Sequence, residues 1–163
     1  MSPATRSHSA EISLPSDTQI LVTRKFDAPR HLVYKAWTTP EHVRQWWTAN
    51  RGEMTVAEID LRVGGKWRYA MDAHHGGEVA FHGEYLEIVP DERLVTTEVY
   101  EGAPEAPPAR TEMTLTESDG VTTVTLLVTH GDQMSRDMHA RSMPEGLQDA
   151  LDTIEELLPA LAG

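Results

Sequence analysis

Met143, Leu147, Leu151, Ile154 and Leu158 recur at spacings of four, four, three and four residues, one apolar stripe of a long C-terminal helix. A helix with one apolar stripe must bury it against another element. Nearly everything before the stripe is strand-patterned, so that element is a sheet. Residues 18–27 place Ile20, Val22, Arg24 and Phe26 on one strand face. Two short helices follow. Pro29 opens the first, with Asp27 or Ala28 as its cap and Leu32, Val33, Ala36 and Trp37 as its apolar members. Thr39 caps the second, with Pro40 at its first position and Val43, Trp46 and Trp47 as apolar members.

Strand signals then run from Met54 to Thr129. Gly64-Gly65 is a turn, after which Trp67, Tyr69 and Met71 alternate with Lys66, Arg68 and Ala70. Residues 79–89 carry Phe81 and Tyr85 on one face, with Gly83 between them marking a bulge or bend. Residues 94–100 form another strand, and residues 111–117 and 121–129 a hairpin across Ser118-Asp119-Gly120. Pro144 and Gly146 interrupt the final stripe. Either the long helix starts at Ser142, or an earlier turn from Ser135 meets it at a kink. Residues 1–17 are rich in Ser, Pro and Thr and read as a mobile tail, leaving residues 18–160 as a single domain. The economical architecture is α+β: a curved antiparallel sheet of six to seven strands around the terminal helix, with two short helices after the first strand. A gap between sheet and helix is where a ligand would lie.

Composition narrows the function. Asp and Glu number 26 against 14 Lys and Arg, a net charge of −12, which argues against nucleic acid and against an anionic membrane surface. With no cysteine there is no disulfide, thiolate metal site or cysteine nucleophile. No apolar run approaches the roughly 20 residues of a membrane span, and the first residues lack a signal core. The expectation is a cytoplasmic protein.

Aromatic residues are the first candidates for function. Trp46, Trp47, Trp67, Tyr69, Phe81 and Tyr85 fall in segments facing the interior, where they serve either as flat walls for a ring-shaped ligand or as ordinary core. Trp46 and Trp47 are about 100° apart on a helix, so one belongs to the core and the other to a cavity mouth. Met71, Met113, Met138 and Met143 offer an adaptable lining, though gap-filling is their commoner use. His74, His75, Glu78 and His82 invite a metal reading, but neighbouring side chains on an extended chain point apart, and no metal is expected. His130 and His139 read as surface or capping residues. His82 and Glu84 share the face opposite Phe81 and Tyr85, so cross-strand pairing with groups such as Lys66 and Arg68 is favoured over acid–base chemistry, unless Gly83 shifts the parity. Asp149, Asp152, Glu155 and Glu156 read as a solvated helix face. The chain lacks a Gly-x-Ser-x-Gly elbow and a phosphate-cradling glycine loop, and no catalytic residue or cofactor is assigned.

Several runs resemble a known family. They are Arg24-Lys25-Phe26-Asp27-Ala28-Pro29-Arg30 with Val33-Tyr34-Lys35-Ala36-Trp37-Thr38, Pro40-Glu41-His42 with Gln45-Trp46-Trp47, and Asp60-Leu61-Arg62-Val63-Gly64-Gly65-Lys66-Trp67-Arg68. His82-Gly83-Glu84-Tyr85, Pro90-Asp91-Glu92-Arg93-Leu94 and the final helix continue the match. Together they resemble the SRPBCC (START-like) superfamily, in the branch similar to the activator of the heat-shock-90 ATPase. The resemblance implies the helix-grip fold, shared with birch-pollen-allergen-like proteins, and binding of small, mostly hydrophobic molecules in a cavity. The expected ligand site comprises Trp47, Trp67, Tyr69, Phe81, Tyr85, Met113, Met143 and Leu147, with Leu151 and Ile154 as its floor. The expected partner is therefore a small hydrophobic or aromatic ligand, bound without covalent chemistry by a monomer or homodimer. One alternative is a cyclase- or aromatase-like enzyme using the same cavity, with Tyr85, Arg68 or His82 moving protons. The other is an interaction module for a chaperone or another protein, with a contiguous exposed apolar patch, for which Trp46 is a candidate member, in place of an enclosed cavity. A chaperone partner is not expected, because only a short segment precedes the first strand here, whereas the co-chaperone carries a separate domain there.

Overall fold

The computed structural model describes residues 9–74 and 76–162. In chain order the elements are β1 (Glu11–Ser13), β2 (Gln19–Phe26), α1 (Arg30–Thr38), α2 (Pro40–Trp46), β3 (Gly52–Ile59), β4 (Lys66–Ala73), β5 (Gly77–Val89), β6 (Arg93–Tyr100), β7 (Ala109–Ser118), β8 (Val121–Thr129), α3 (Gln133–Ser142) and α4 (Pro144–Ala162). The strands form one curved antiparallel sheet in the order β1-β2-β8-β7-β6-β5-β4-β3. From β3 to β8 each strand pairs with the next, and β2 returns to pair with β8. This is the helix-grip architecture, with a strand more than expected.

That strand is β1, whose Glu11, Ile12 and Ser13 pair with Thr23, Val22 and Leu21. It falls inside the stretch read as a mobile tail. Three residues are too few to show a period, so the pairing edge of β2 makes the strand rather than any local propensity. Residues 1–8 of that stretch lie outside the described residues.

Strand alternation sends Ile20, Val22, Phe26, Met113, Leu115, Val124 and Val128 to the inner face, where all are buried. Onto it α4 lays Ala150, Leu151, Ile154 and Leu158. Burying each of the three larger side chains contributes roughly 1.5–3 kcal/mol, so the stripe holds the helix in the grip. Helices α1 and α2 add Leu32, Val33, Ala36, Val43 and Trp46 to the same core.

Local signals decide the ends of the elements. Pro29 is the cap of α1 rather than its first residue, its carbonyl accepting from the Leu32 N–H at 3.1 Å, and neither Asp27 nor Ala28 fills that place. The Asp132 carboxylate accepts from the Ser135 N–H at 2.8 Å and starts α3. Pro144 then opens α4, where an N–H is not needed. Two helices meeting at Met143 thus resolve the interruption in the stripe. Asp119 and Gly120 both have positive φ, 53° and 76°, which makes the two-residue hairpin turn joining Ser118 to Val121.

Candidate functional site

The register lays rows of side chains across the inner face of the sheet. In one row Ile59 pairs with Trp67 and Trp67 with Gly83. The register that pairs His82 with Val99 then sets Gly83 opposite Glu98, which pairs with Ala109. The row on one side holds Tyr69, Phe81 and Tyr100. The row on the other holds Tyr85, Thr96, Thr111 and Val128.

Gly83 does not mark a bulge. The irregularity in β5 lies between Tyr85 and Glu87. Glycine is required at 83 because a Cβ there would collide with the Thr97 carbonyl oxygen and come 2.6 Å from the Trp67 indole nitrogen. The indole leans across the glycine and donates its N–H to the Thr97 carbonyl at 3.2 Å.

Aromatic rings continue from that point. Trp67 and Tyr69 lie 4.8 Å apart between ring centres. Trp47, at the end of α2, meets Tyr69 at 5.6 Å and Phe81 at 6.0 Å, edge to face. Phe81 meets Tyr100 at 5.0 Å. Trp46 turns the other way into the core, donating its indole N–H to the Ala36 carbonyl at 2.9 Å and packing on Trp37. Trp46 is therefore not part of any exposed apolar patch.

All ten residues expected at the ligand site join one apolar cluster: Trp67, Tyr85, Met113, Leu151 and Ile154 buried within it, Trp47, Tyr69, Phe81, Met143 and Leu147 packed against it. Of two open clefts, one of about 450 Å³ is lined by Asn50, Arg51, Met71, Ala73, His74 and Gly76 and by none of those ten. The other, of about 280 Å³, lies among Glu58, Lys66, Arg68 and His82.

Four polar groups on this face have no hydrogen-bonding partner among the described residues: the Tyr69 and Tyr85 hydroxyls, the Glu98 carboxylate and the Thr111 hydroxyl. Burial pushes both tyrosines above their ordinary range. It raises the Glu98 carboxyl to about 7. Sequence reading missed Glu98 and Thr111. In β6, Val95 and Val99 make the opposite face look the more apolar, so alternation alone sends Glu98 to solvent. Pairing with β7, where Met113 and Leu115 are buried, sets the true direction.

The outer face is fully paired where chemistry was considered. Arg68 donates to both Glu101 oxygens at 2.8 and 2.9 Å, and His82 lies 2.9 Å from the same carboxylate. Bonds from Arg68 and His82 hold Glu101 down at about 2. Lys66 faces Glu84 at 3.8 Å. Arg68 and His82 therefore lie away from the inner face, which removes them as proton donors there.

Other expectations change. His130 and His139 are neither surface nor capping residues but a pair, Nε2 to Nδ1 2.9 Å apart. Burial lowers both, His139 to about 4. The acidic run on α4 is not simply solvated: Asp152 and Glu155 reach buried Arg24, and Asp149 reaches Arg51 at 2.9 Å. Met138 is exposed on α3 rather than lining a pocket. His75 lies outside the described residues.

A curved antiparallel sheet gripping a C-terminal helix, with an aromatic inner face, defines a helix-grip domain of the START-like kind. Residues 27–159 match the family described as Activator of Hsp90 ATPase homolog 1-like protein, and the chain belongs to it. Among solved structures, a Rhodobacter sphaeroides protein superposes with a TM-score of 0.85 at 23% identity, covering 93% of this chain and 99% of its own. Protein Ms6760 from Mycobacterium smegmatis gives 0.83 at 23% identity, covering 92% and 96%. Protein CV1439 from Chromobacterium violaceum gives 0.76 at 26% identity, covering 88% and 98%. Comparison with curated proteins returns no match.

Proposed function

We propose that the chain binds a small hydrophobic or aromatic molecule between the inner face of the sheet and α4, without covalent chemistry of its own. The observation that carries this reading is the set of unpartnered polar groups, Tyr69, Tyr85, Glu98 and Thr111, set among the rings of Trp47, Trp67 and Phe81. The Thr111 hydroxyl is the one of the four sealed from solvent, and a site that leaves polar groups open among apolar walls suits a ligand that brings both polar and apolar parts. The fold family supports a ligand-binding domain in general. No described helix is long and apolar enough to cross a membrane.

The test is native mass spectrometry of the purified protein beside its denatured mass. A stoichiometric extra mass that is lost on denaturation supports the reading and identifies the ligand. A bare native mass, together with no saturable binding of 1-methylnaphthalene, overturns it.

A catalytic alternative draws on one observation, the Glu98 carboxyl near neutrality beside two tyrosines. Conversion of the retained ligand by the protein, lost in Glu98→Gln, separates catalysis from binding.

A further inference from the structure

We propose that Glu98 selects the ligand, so that the site takes ring-bearing molecules with an amine or other hydrogen-bond-donating group and rejects carboxylates; this rests on the reading of the inner face as a binding site. Glu98 is on the face that α4 covers, in the row between Gly83 and Ala109. Those two neighbours carry no side chain and a methyl group, so neither can reach or shield the carboxylate.

Chemistry then sets the direction. An ionised carboxylate only accepts hydrogen bonds. Among the described residues no hydrogen bond or ion pair engages Glu98, whereas Arg24 and Arg93 each meet two carboxylates and Arg68 holds both oxygens of Glu101. The Thr111 hydroxyl, in the adjacent row, is buried with no partner and adds a second polar contact. A donor-bearing ring satisfies Glu98 directly, and an ammonium does so with a charge-assisted bond. A carboxylate brought there meets like charge in a poorly hydrated place. The rings of Trp47, Tyr69 and Phe81 meet the apolar part of such a ligand, and their faces also favour a cation.

The experiment titrates the full chain with 1-naphthylmethylamine, 1-naphthoate and 1-methylnaphthalene at about pH 8, in about 0.3 M salt to screen the acidic surface. Naphthyl fluorescence reads each affinity. The amine is expected to bind about tenfold or more tightly than the naphthoate. Glu98→Gln is expected to bring the two within about threefold, weakening the amine and strengthening the naphthoate. Glu98→Leu should do the same, so the result does not depend on one variant folding. If the methylnaphthalene binds but the amine and naphthoate are equal in the native chain, or their difference survives both substitutions, Glu98 is not the selector and the binding site stands. If none of the three binds, both readings fall.

Discussion

Arg24 and Glu98 are charged residues on the same inner face of the sheet, on β2 and β6, and the protein treats them differently. Arg24 is buried, and α4 brings it two carboxylates, Asp152 at 2.9 Å and Glu155 at 3.5 Å. Its Nε–H reaches the Lys25 carbonyl at 3.2 Å, and its guanidinium stacks 5.0 Å over Phe26. Glu98 has no hydrogen bond or ion pair among the described residues. Taking a charge out of water costs several kcal/mol unless pairing offsets it. At β2 that cost is offset, and the pair ties the terminal helix to the first long strand. At β6 it is not, so the carboxyl holds its proton up to about pH 7. Two regions of one apolar face therefore differ in kind. The β2–β8 half is finished architecture, and the β4–β6 half keeps polar groups open.

The largest effect is expected at the finished half. Arg24→Ala leaves Asp152 and Glu155 facing an apolar surface without their cation, and should cost about 3–5 kcal/mol in urea unfolding. A loss below about 1 kcal/mol means the pair does not hold α4, and the contrast collapses. Glu98→Gln should act in the opposite sense. The folded carboxyl titrates at about 7 and the unfolded one at its ordinary 4.5. Between those values the unfolded chain has released its proton and the folded chain has not, so native stability falls as pH rises through the window. Glutamine has no proton to release. The variant should match the native chain at about pH 4, and gain about 3 kcal/mol by about pH 8. Equal stability at the higher pH shows that Glu98 is already satisfied.

How these halves read from sequence follows the same division. Alternation in β2 places Arg24 on the buried face beside Ile20, Val22 and Phe26, and a seven-residue window suffices to see it. Its partner Asp152 is 128 positions away on α4, and no local pattern connects them. The aromatic wall was legible because Trp67, Tyr69, Phe81 and Tyr85 alternate cleanly. The α4 stripe was legible because its period is unambiguous over four turns. Glu98 was not, because the two faces of β6 are nearly balanced and only pairing with β7 decides between them. The fit of Trp67 over Gly83 was equally hidden, since a glycine in a strand signals a bulge and a close approach alike. His130 and His139 sit on different elements, and their contact depends on where α3 docks.

The smallest effect separates stability from binding. Trp67→Phe removes the indole N–H bond to the Thr97 carbonyl, and Thr122→Val removes the hydroxyl bond to the Ala28 carbonyl at 2.7 Å. Each deletes one side-chain donor bonded to a backbone carbonyl, worth about 1 kcal/mol, and Trp67→Phe also removes buried ring volume, which adds to its cost. Thr122 belongs to β8, in the finished half, where its pairing with Phe26 leaves nothing open. Trp67 stands beside Glu98, and a phenyl ring in its place opens space over Gly83. Both substitutions should lower the urea midpoint, Trp67→Phe the more, while only Trp67→Phe changes the affinity for 1-methylnaphthalene. An equal change in affinity for both means that binding follows global stability rather than the aromatic half. No change for either places the ligand elsewhere on the molecule. A change confined to Trp67, measured where both variants are fully folded, assigns the binding surface to β4–β6.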